Sequence, residues 1–222
     1  LNGMEFVEYS SPEPEKLAHL FERMGFAQIG QHRNKDVLLF RQGQTNFILN
    51  KEPGTFAQSF ASEHGPSICA TGWRVENSEE AFKKAVENGA QPIDIANDQK
   101  SHSFPAVYGI GGSAIYFVDR YNDPSHFEDD FEMSSQGPGS DFKISVVDHL
   151  TNNVPRGEMQ QWCDFYANVF NFYEVRQFDI KGQQTGLVSK VMRSPCGRIT
   201  IPINEPTDDK SQIQEYLDEY NG

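Results

Sequence analysis

Of the six histidines in this chain of 222 residues, His149 stands in the context best suited to chemistry. The run ISVVDHL reads as a strand, and alternation puts His149 on the face of Val147 and Ser145. A lone strand histidine is ordinarily a hydrogen-bonded core residue. Two further positions point elsewhere. Ser189 in GLVSKVM and Asn204 in IPINEP are polar positions inside apolar runs. Neutral hydrogen-bonding groups on neighbouring strands are what an oriented small-molecule site needs. Internal comparison also sets Glu8, in FVEY, at the position of His149 in VVDH. A repeat position that twice hosts a polar group reads as the floor of a cavity.

Other motifs carry less. GIGGSA (109–114) matches a variant of the dinucleotide fingerprint in letters only. That fingerprint must follow a strand and open a helix, whereas this one precedes the strand IYFVD and reads as a turn. Asp123, His126, Asp129 and Asp130 form an oxygen-rich group able to hold a divalent cation weakly, but a solvated acidic linker is the better reading. His19 lies beside a helical stripe, and His32, His64 and His102 fall in polar, loop-like contexts with no second ligand nearby. Cys69, Cys163 and Cys196 are odd in number and show no CxxC spacing, which excludes a disulfide framework and a zinc knuckle.

The elements that would position these residues recur. MEFVEY is a strand; Ser11 and Pro12 read as a helix start, Leu17, Leu20, Phe21 and Met24 hold helical spacing, and Gly25 closes the helix. The strands DVLLFRQG and TNFILN follow. A second unit begins near SICATGWRVE, with Asn77 and Glu80 at capping-box spacing before Ala81, Phe82, Ala85 and Val86, and with PIDI and SAIYFVD as strands. A third begins at KISVVDHL. Its helix carries the stripe Met159, Trp162, Cys163, Tyr166, Val169 and Phe170, and YEVRQFDI, GLVSKVM and GRITIPI read as strands before a last helix, SQIQEYLDEY. The pattern is a βαβββ module repeated about three times, of α+β class. The polar stretch 123–142 buries little and contains the expected linker. The expected division is 1–135 as two paired modules, 136–142 as linker, and 143–222 as a partial third unit.

Lys and Arg number 19 against 32 Asp and Glu, a net charge of −13, which argues against nucleic-acid and anionic-membrane surfaces. No run approaches the roughly 18 apolar residues of a membrane span, and the opening LNGMEFVEYSSPEPEKL lacks the features of a secretory signal. Free thiols favour a reducing compartment, so the expected location is cytoplasmic.

The stretches VVDHLTNNVPRGEM, FYEVRQFDIKGQQTGLVSKVM, GRITIPINEP and KSQIQEYL closely resemble the 4-hydroxyphenylpyruvate dioxygenase family. The resemblance implies a vicinal-oxygen-chelate (glyoxalase-like) fold: two paired modules, then one partial module of the catalytic domain. It implies Fe(II) as cofactor, 4-hydroxyphenylpyruvate and O₂ as substrates, conversion to homogentisate and CO₂ in tyrosine catabolism, and a homo-oligomer. The iron of such enzymes sits in a two-histidine, one-carboxylate triad that leaves positions open for substrate. The family's first iron-binding histidine falls on His149, and its substrate-orienting serine, asparagine and glutamine fall on Ser189, Asn204 and Gln212. The second histidine and the glutamate would fall beyond Gly222, so a fragment inactive by itself is expected, with an uncovered apolar face near Phe165, Tyr166 and GLVSKVM. Two alternatives stand beside this reading. One is hydroxymandelate synthase, which resembles the same family and hydroxylates the side chain. The other is a non-catalytic small-molecule-binding protein of the same fold.

Overall fold

The computed structural model describes residues 1–93, 102–123, 125–135, 137–139, 142–181 and 186–221. The strands β1 (Met4–Ser10), β2 (Ala27–His32), β3 (Val37–Gln42), β4 (Thr45–Asn50), β5 (Ser67–Arg74), β6 (Ala106–Tyr108), β7 (Ala114–Val118) and β8 (Phe131–Met133) form one sheet in the order β6-β7-β5-β1-β4-β3-β2-β8. A second sheet contains β9 (Asn152–Asn153), β10 (Tyr173–Lys181), β11 (Gly186–Arg193) and β12 (Thr200–Pro206), in the order β10-β11-β12-β9. Helices α1 (Pro14–Arg23), α3 (Ser78–Glu87) and α4 (Met159–Phe170) each follow the first strand of a module; α2 (Phe56–His64) and α5 (Gln212–Tyr220) follow the last.

One pairing rule generates both sheets. In each module the first strand pairs parallel with the fourth: β1 with β4, β5 with β7, and β9 with β12. Each intervening strand then pairs antiparallel with the next, as in β2-β3-β4 and β10-β11-β12. The second module completes this with an isolated bridge between Pro92 and Val107 and a bond from Ile93 N–H to Ala106 O; the rest of the expected strand PIDI lies outside the described residues. Modules one and two meet through the antiparallel pair β1-β5. That pair demands a close approach at Gly72, where a Cβ would lie 2.4 Å from the Phe6 ring.

Alternation along β1 divides the core. Phe6 joins Ile48, Tyr116, Phe127 and Phe131 on one face, while Val7 joins Phe21, Phe40 and Leu49 beneath α1 on the other. A third cluster spans the two sheets. Trp73 and Phe117 from the first meet Tyr166, Phe170 and Phe172 from the second half, with Ile199, Ile201 and Ile203 behind them. The expected stripe of α4 therefore buries Met159, Cys163, Tyr166, Val169 and Phe170. No helix among the described residues is long and apolar enough to cross a membrane.

Four expectations need correction. Helix α1 begins at Pro14, after Ser11 and Pro12; the Ser11 hydroxyl instead accepts from the Glu13 backbone N–H. Helix α2 was not expected; Thr55 caps it by accepting from Gln58 N–H. The polar stretch 123–142 is not merely solvated, because it contributes β8 and buries His126, Phe127 and Phe131. Tyr166 is buried, and the exposed apolar side chains lie on β10 instead: Tyr173, Val175, Phe178 and Ile180.

Gly139 bonds to the first sheet, donating its N–H to Arg41 O and accepting from Gly43 N–H. A Cβ there would lie 1.9 Å from Gly25 O, whereas one at Gly137 would meet nothing within 4 Å. Gly139→Ala should cost about 2 kcal/mol through forced backbone displacement, and Gly137→Ala no more than about 0.5 kcal/mol. Urea denaturation of the two variants checks this; equal midpoints would count against the contact.

Candidate functional site

Ser189 and Asn204 are brought together. They are direct Cα partners across β11 and β12, so their side chains share a face, with Phe178 of β10 opposite Ser189. The opposite face of β11 is held by α4: Met192 enters the shared core and Lys190 Nζ donates to Gln160 Oε1. Ser189 is buried and Asn204 half-buried. On the same face, Asn204 Nδ2 donates to Asn153 Oδ1 at 3.1 Å, and the Asn204 backbone carbonyl accepts from Val154 N–H.

His149 departs from expectation. Residues 143–150 form no strand. Their backbone is drawn onto the first sheet, where Ile144 N–H donates to Gln42 Oε1 and Ile144, Val147 and Leu150 pack against the Phe21 cluster. Only Asn152–Asn153 pairs with β12, while Leu150 N–H reaches Thr200 O at the strand's other end. The His149 ring is half exposed, and its Nδ1 lies 2.7 Å from Asp148 Oδ2. A carboxylate on one ring nitrogen is the support that metal-binding histidines commonly carry. Gln212 is the exposed first residue of α5, behind a Ser211 cap that accepts from Ile213 N–H. No group of three His, Cys, Asp or Glu side chains among the described residues is arranged to hold a metal ion. These residues thus supply one candidate ligand and do not by themselves form an iron site.

Sequence reasoning missed a second polar constellation, inside the first sheet. Glu8 is buried and accepts from Asn50 Nδ2 at 2.9 Å. His102, also buried, has Nε2 4.0 Å from Glu8 Oε2 and Nδ1 3.7 Å from Asp130 Oδ2. His126 Nε2 lies 3.1 Å from Glu5 Oε1, near enough for an ion pair but misaligned for a hydrogen bond. Glu5 also pairs with Arg74 at 2.6 Å. His32, His64 and His102 are therefore packed interior groups, contrary to the loop-like reading, with His64 Nδ1 2.7 Å from Tyr220 O, and His126 is buried as well, contrary to the solvated-linker reading. The available signal was Glu5 and Glu8 within a strand of otherwise apolar character.

Burial raises the Asp130 carboxyl, but His102 and neighbouring cations outweigh it and hold the group below its ordinary range. Burial, with Lys35, lowers His32.

A model of the hydroxyphenylpyruvate dioxygenase N-terminal domain matches residues 1–132, and one of the glyoxalase, bleomycin resistance and dioxygenase superfamily matches 146–217. The chain belongs to the hydroxyphenylpyruvate dioxygenase family. It is 48% identical over its whole length to a 4-hydroxyphenylpyruvate dioxygenase of Pseudomonas sp. (strain P.J. 874), and spans 63% of that protein. It is 47% identical, again over its whole length, to hemolysin VllY of Vibrio vulnificus (strain CMCP6), of which it spans 64%. Among solved structures, a hydroxymandelate synthase variant from Streptomyces coelicolor superposes with TM-score 0.82 at 19% identity, covering 100% of this chain and 68% of that one. The glyoxalase-like fold that the family resemblance implied is thereby established, in agreement with the βαβββ repeat.

Two outcomes test the geometry. His149→Ala should change stability by less than about 0.5 kcal/mol, as for an exposed side chain, while Asn204→Ala should cost about 1 kcal/mol for the lost Asn153 bond; chemical denaturation reads both. Acidification should also destabilise the fold. The unfolded chain takes up a proton at His32 from about pH 6.5 downward while the folded state resists it. The stability contributed by Asp130, present above its unfolded pKa, is lost as pH falls through its lower folded value. The urea midpoint should therefore fall from neutral pH towards pH 5 and fall further in more acid solution, with the first portion reduced in His32→Gln.

Proposed function

We propose that this chain is the N-terminal domain and first half of the catalytic domain of an Fe(II)-dependent dioxygenase that converts 4-hydroxyphenylpyruvate and O₂ to homogentisate and CO₂. In this reading residues 1–135 form the paired-module domain, 136–142 connect, and 143–222 begin the catalytic domain. The observation that carries it is the pairing of Ser189 with Asn204 on the face of the second sheet turned away from α4, in a chain 48% identical to a named 4-hydroxyphenylpyruvate dioxygenase.

The proposed roles follow from the side chains. The Ser189 hydroxyl donates or accepts, and the Asn204 amide does both, so together they orient the oxygens of a keto acid without adding charge. Asn153 fixes the Asn204 amide by occupying one of its donors. Gln212, at the open end of α5, contributes a further neutral amide. His149 is assigned as one iron ligand, with Asp148 orienting its ring. Fe(II), when bound, supplies the redox chemistry and the chelation centre for the keto acid. In this reading the other two ligands are the family's second histidine and its glutamate, which the resemblance places outside residues 1–222.

Hydroxymandelate synthase is the weaker alternative. Its structure shares the fold at 19% identity, against 48% for the dioxygenase. A cytoplasmic location is consistent with three free cysteines, and exposed Tyr173, Val175, Phe178 and Ile180 support association into a homo-oligomer.

Oxygen uptake and product chromatography test the proposal. The 222-residue chain with Fe(II) should consume no 4-hydroxyphenylpyruvate. A longer polypeptide containing it should form homogentisate, and His149→Ala in that polypeptide should lower turnover by at least about 100-fold, since losing a group that only supports a metal ligand already costs about 10- to 100-fold. Hydroxymandelate as product would favour the alternative, and turnover by the short chain would overturn the ligand assignment.

A further inference from the structure

Residues 126–133 lie along the first sheet as a strap: a short helical turn, His126–Asp129, and then β8 at the sheet's edge. Three residue pairs hold β8 to β2, flanked by bonds from Arg33 N–H to Asp130 O and from Ser134 N–H to Ile29 O. Phe127 and Phe131 of the strap are buried in the Phe6 cluster. So short an edge pairing belongs to the part of a fold that opens first.

Two buried histidines join this strap to β1, and in each ring both nitrogens face acceptors. His102, 3% exposed, has the Glu8 carboxylate at 4.0 Å from Nε2 and the Asp130 carboxylate at 3.7 Å from Nδ1. His126 has the Glu5 carboxylate at 3.1 Å from Nε2 and the Asp123 backbone carbonyl at 2.9 Å from Nδ1. A neutral imidazole carries one N–H and one lone pair, so it answers only one of two acceptors; the imidazolium has a donor on each side. Losing the charge on His102 also leaves two carboxylates flanking an uncharged ring, one of them on a buried Glu8, and a buried charge without its companion is costly. The surroundings rank the two rings. Glu5 is shared with Arg74 of β5 and Arg41 of β3, both permanently charged. Around His102 the other titratable groups are His32 of β2, Lys35 beyond it, and the Cys69 thiol and Tyr116 phenol of β5 and β7. Burial pushes the Cys69 thiol up, so it stays neutral. His32, when protonated, is a like charge and opposes the imidazolium of His102.

We propose that residues 126–133 form a proton-operated latch. It is closed on β1 while His102, seconded by His126, carries a charge. As those rings lose their protons it opens, freeing the edge of β2 and uncovering Phe127 and Phe131. The closed state then holds a proton that the open state gives up, so the opening constant rises by up to about tenfold per pH unit for each coupled proton. The sign is opposite to that of the acid loss through His32 and Asp130, because this stabilisation disappears as pH rises. The latch and the keto-acid site lie in different sheets, and the two assignments stand or fall independently.

Hydrogen exchange of the Arg33 and Ser134 amides in the ¹⁵N-labelled 222-residue chain tests this, corrected for the intrinsic pH dependence of exchange. The His102 ring is followed in parallel by its Cε1–H resonance. The opening constant at both amides should rise by up to about tenfold per pH unit across the interval in which that ring loses its proton. Amides of the β3–β4 ladder should keep a constant protection. His102→Gln, neutral at every pH, should hold the opening constant high and flatten its pH dependence. Asp130→Asn, which removes one of the two acceptors from a partly exposed position, should flatten it in part. Should His102→Gln fail to fold, Asp130→Asn and the unaltered chain decide. A corrected opening constant independent of pH, a rise outside the interval of the His102 titration, a ring that does not titrate, or an unchanged slope in the variant that folds would overturn the latch.

Discussion

The stack of aromatic side chains around Trp73 is the contact on which the arrangement depends. Trp73 is buried between two sheets that, among the described residues, share no hydrogen-bonded strand. Its ring lies nearly parallel to Phe172 at 5.6 Å and Tyr166 at 6.4 Å, and edge-on to Phe170 at 4.9 Å. Such pairs add about 0.5–1.5 kcal/mol each beyond their area burial. Because Phe172 immediately precedes β10 and Tyr166 lies on α4, this cluster fixes the second sheet against the first. The direction in which the face carrying Ser189 and Asn204 is turned is a consequence of where that stack holds the sheets.

Much of this was legible from periodicity. The α4 stripe, the long strands β10 to β12 and the recurrence of βαβββ follow from side-chain alternation, which is local and strong. The opposition of Ser189 and Asn204 follows once two neighbouring strands are recognised. What escaped was what local pattern does not determine. Helix α2 relies on Ala57 and Ala61 for its buried face, so its stripe is faint beside those of α1 and α4. Strand β8 has three residues and owes its place to Phe131, which is buried by partners far away in the chain. His149 shows the limit most clearly. Alternation in ISVVDHL was real, but the segment's apolar residues were claimed by the Phe21 cluster, and a strand forms only at Asn152–Asn153.

The module repeat also puts one position to two uses. Glu8 sits buried on a complete strand, with His102, itself packed on Phe6 and Tyr116, beside it. His149, its counterpart by internal alignment, stands half exposed in a segment without a partner strand. Burial makes the first an electrostatic constraint on the fold, because a charge removed from water there needs companions. Exposure leaves the second free for chemistry.

The pairing of β2 with β8 carries a further consequence. Gly30, Gln31 and His32 find their partners in Met133, Glu132 and Phe131, about a hundred residues later. Emerging from a ribosome, the first module would expose the edge of β2 throughout the synthesis of the second. Domains fold as units during translation, and here that unit closes only when Phe131 arrives. Until then the nascent chain presents an unpaired edge, the kind of surface chaperones attend, and the last short strand acts as the clasp that ends that exposure.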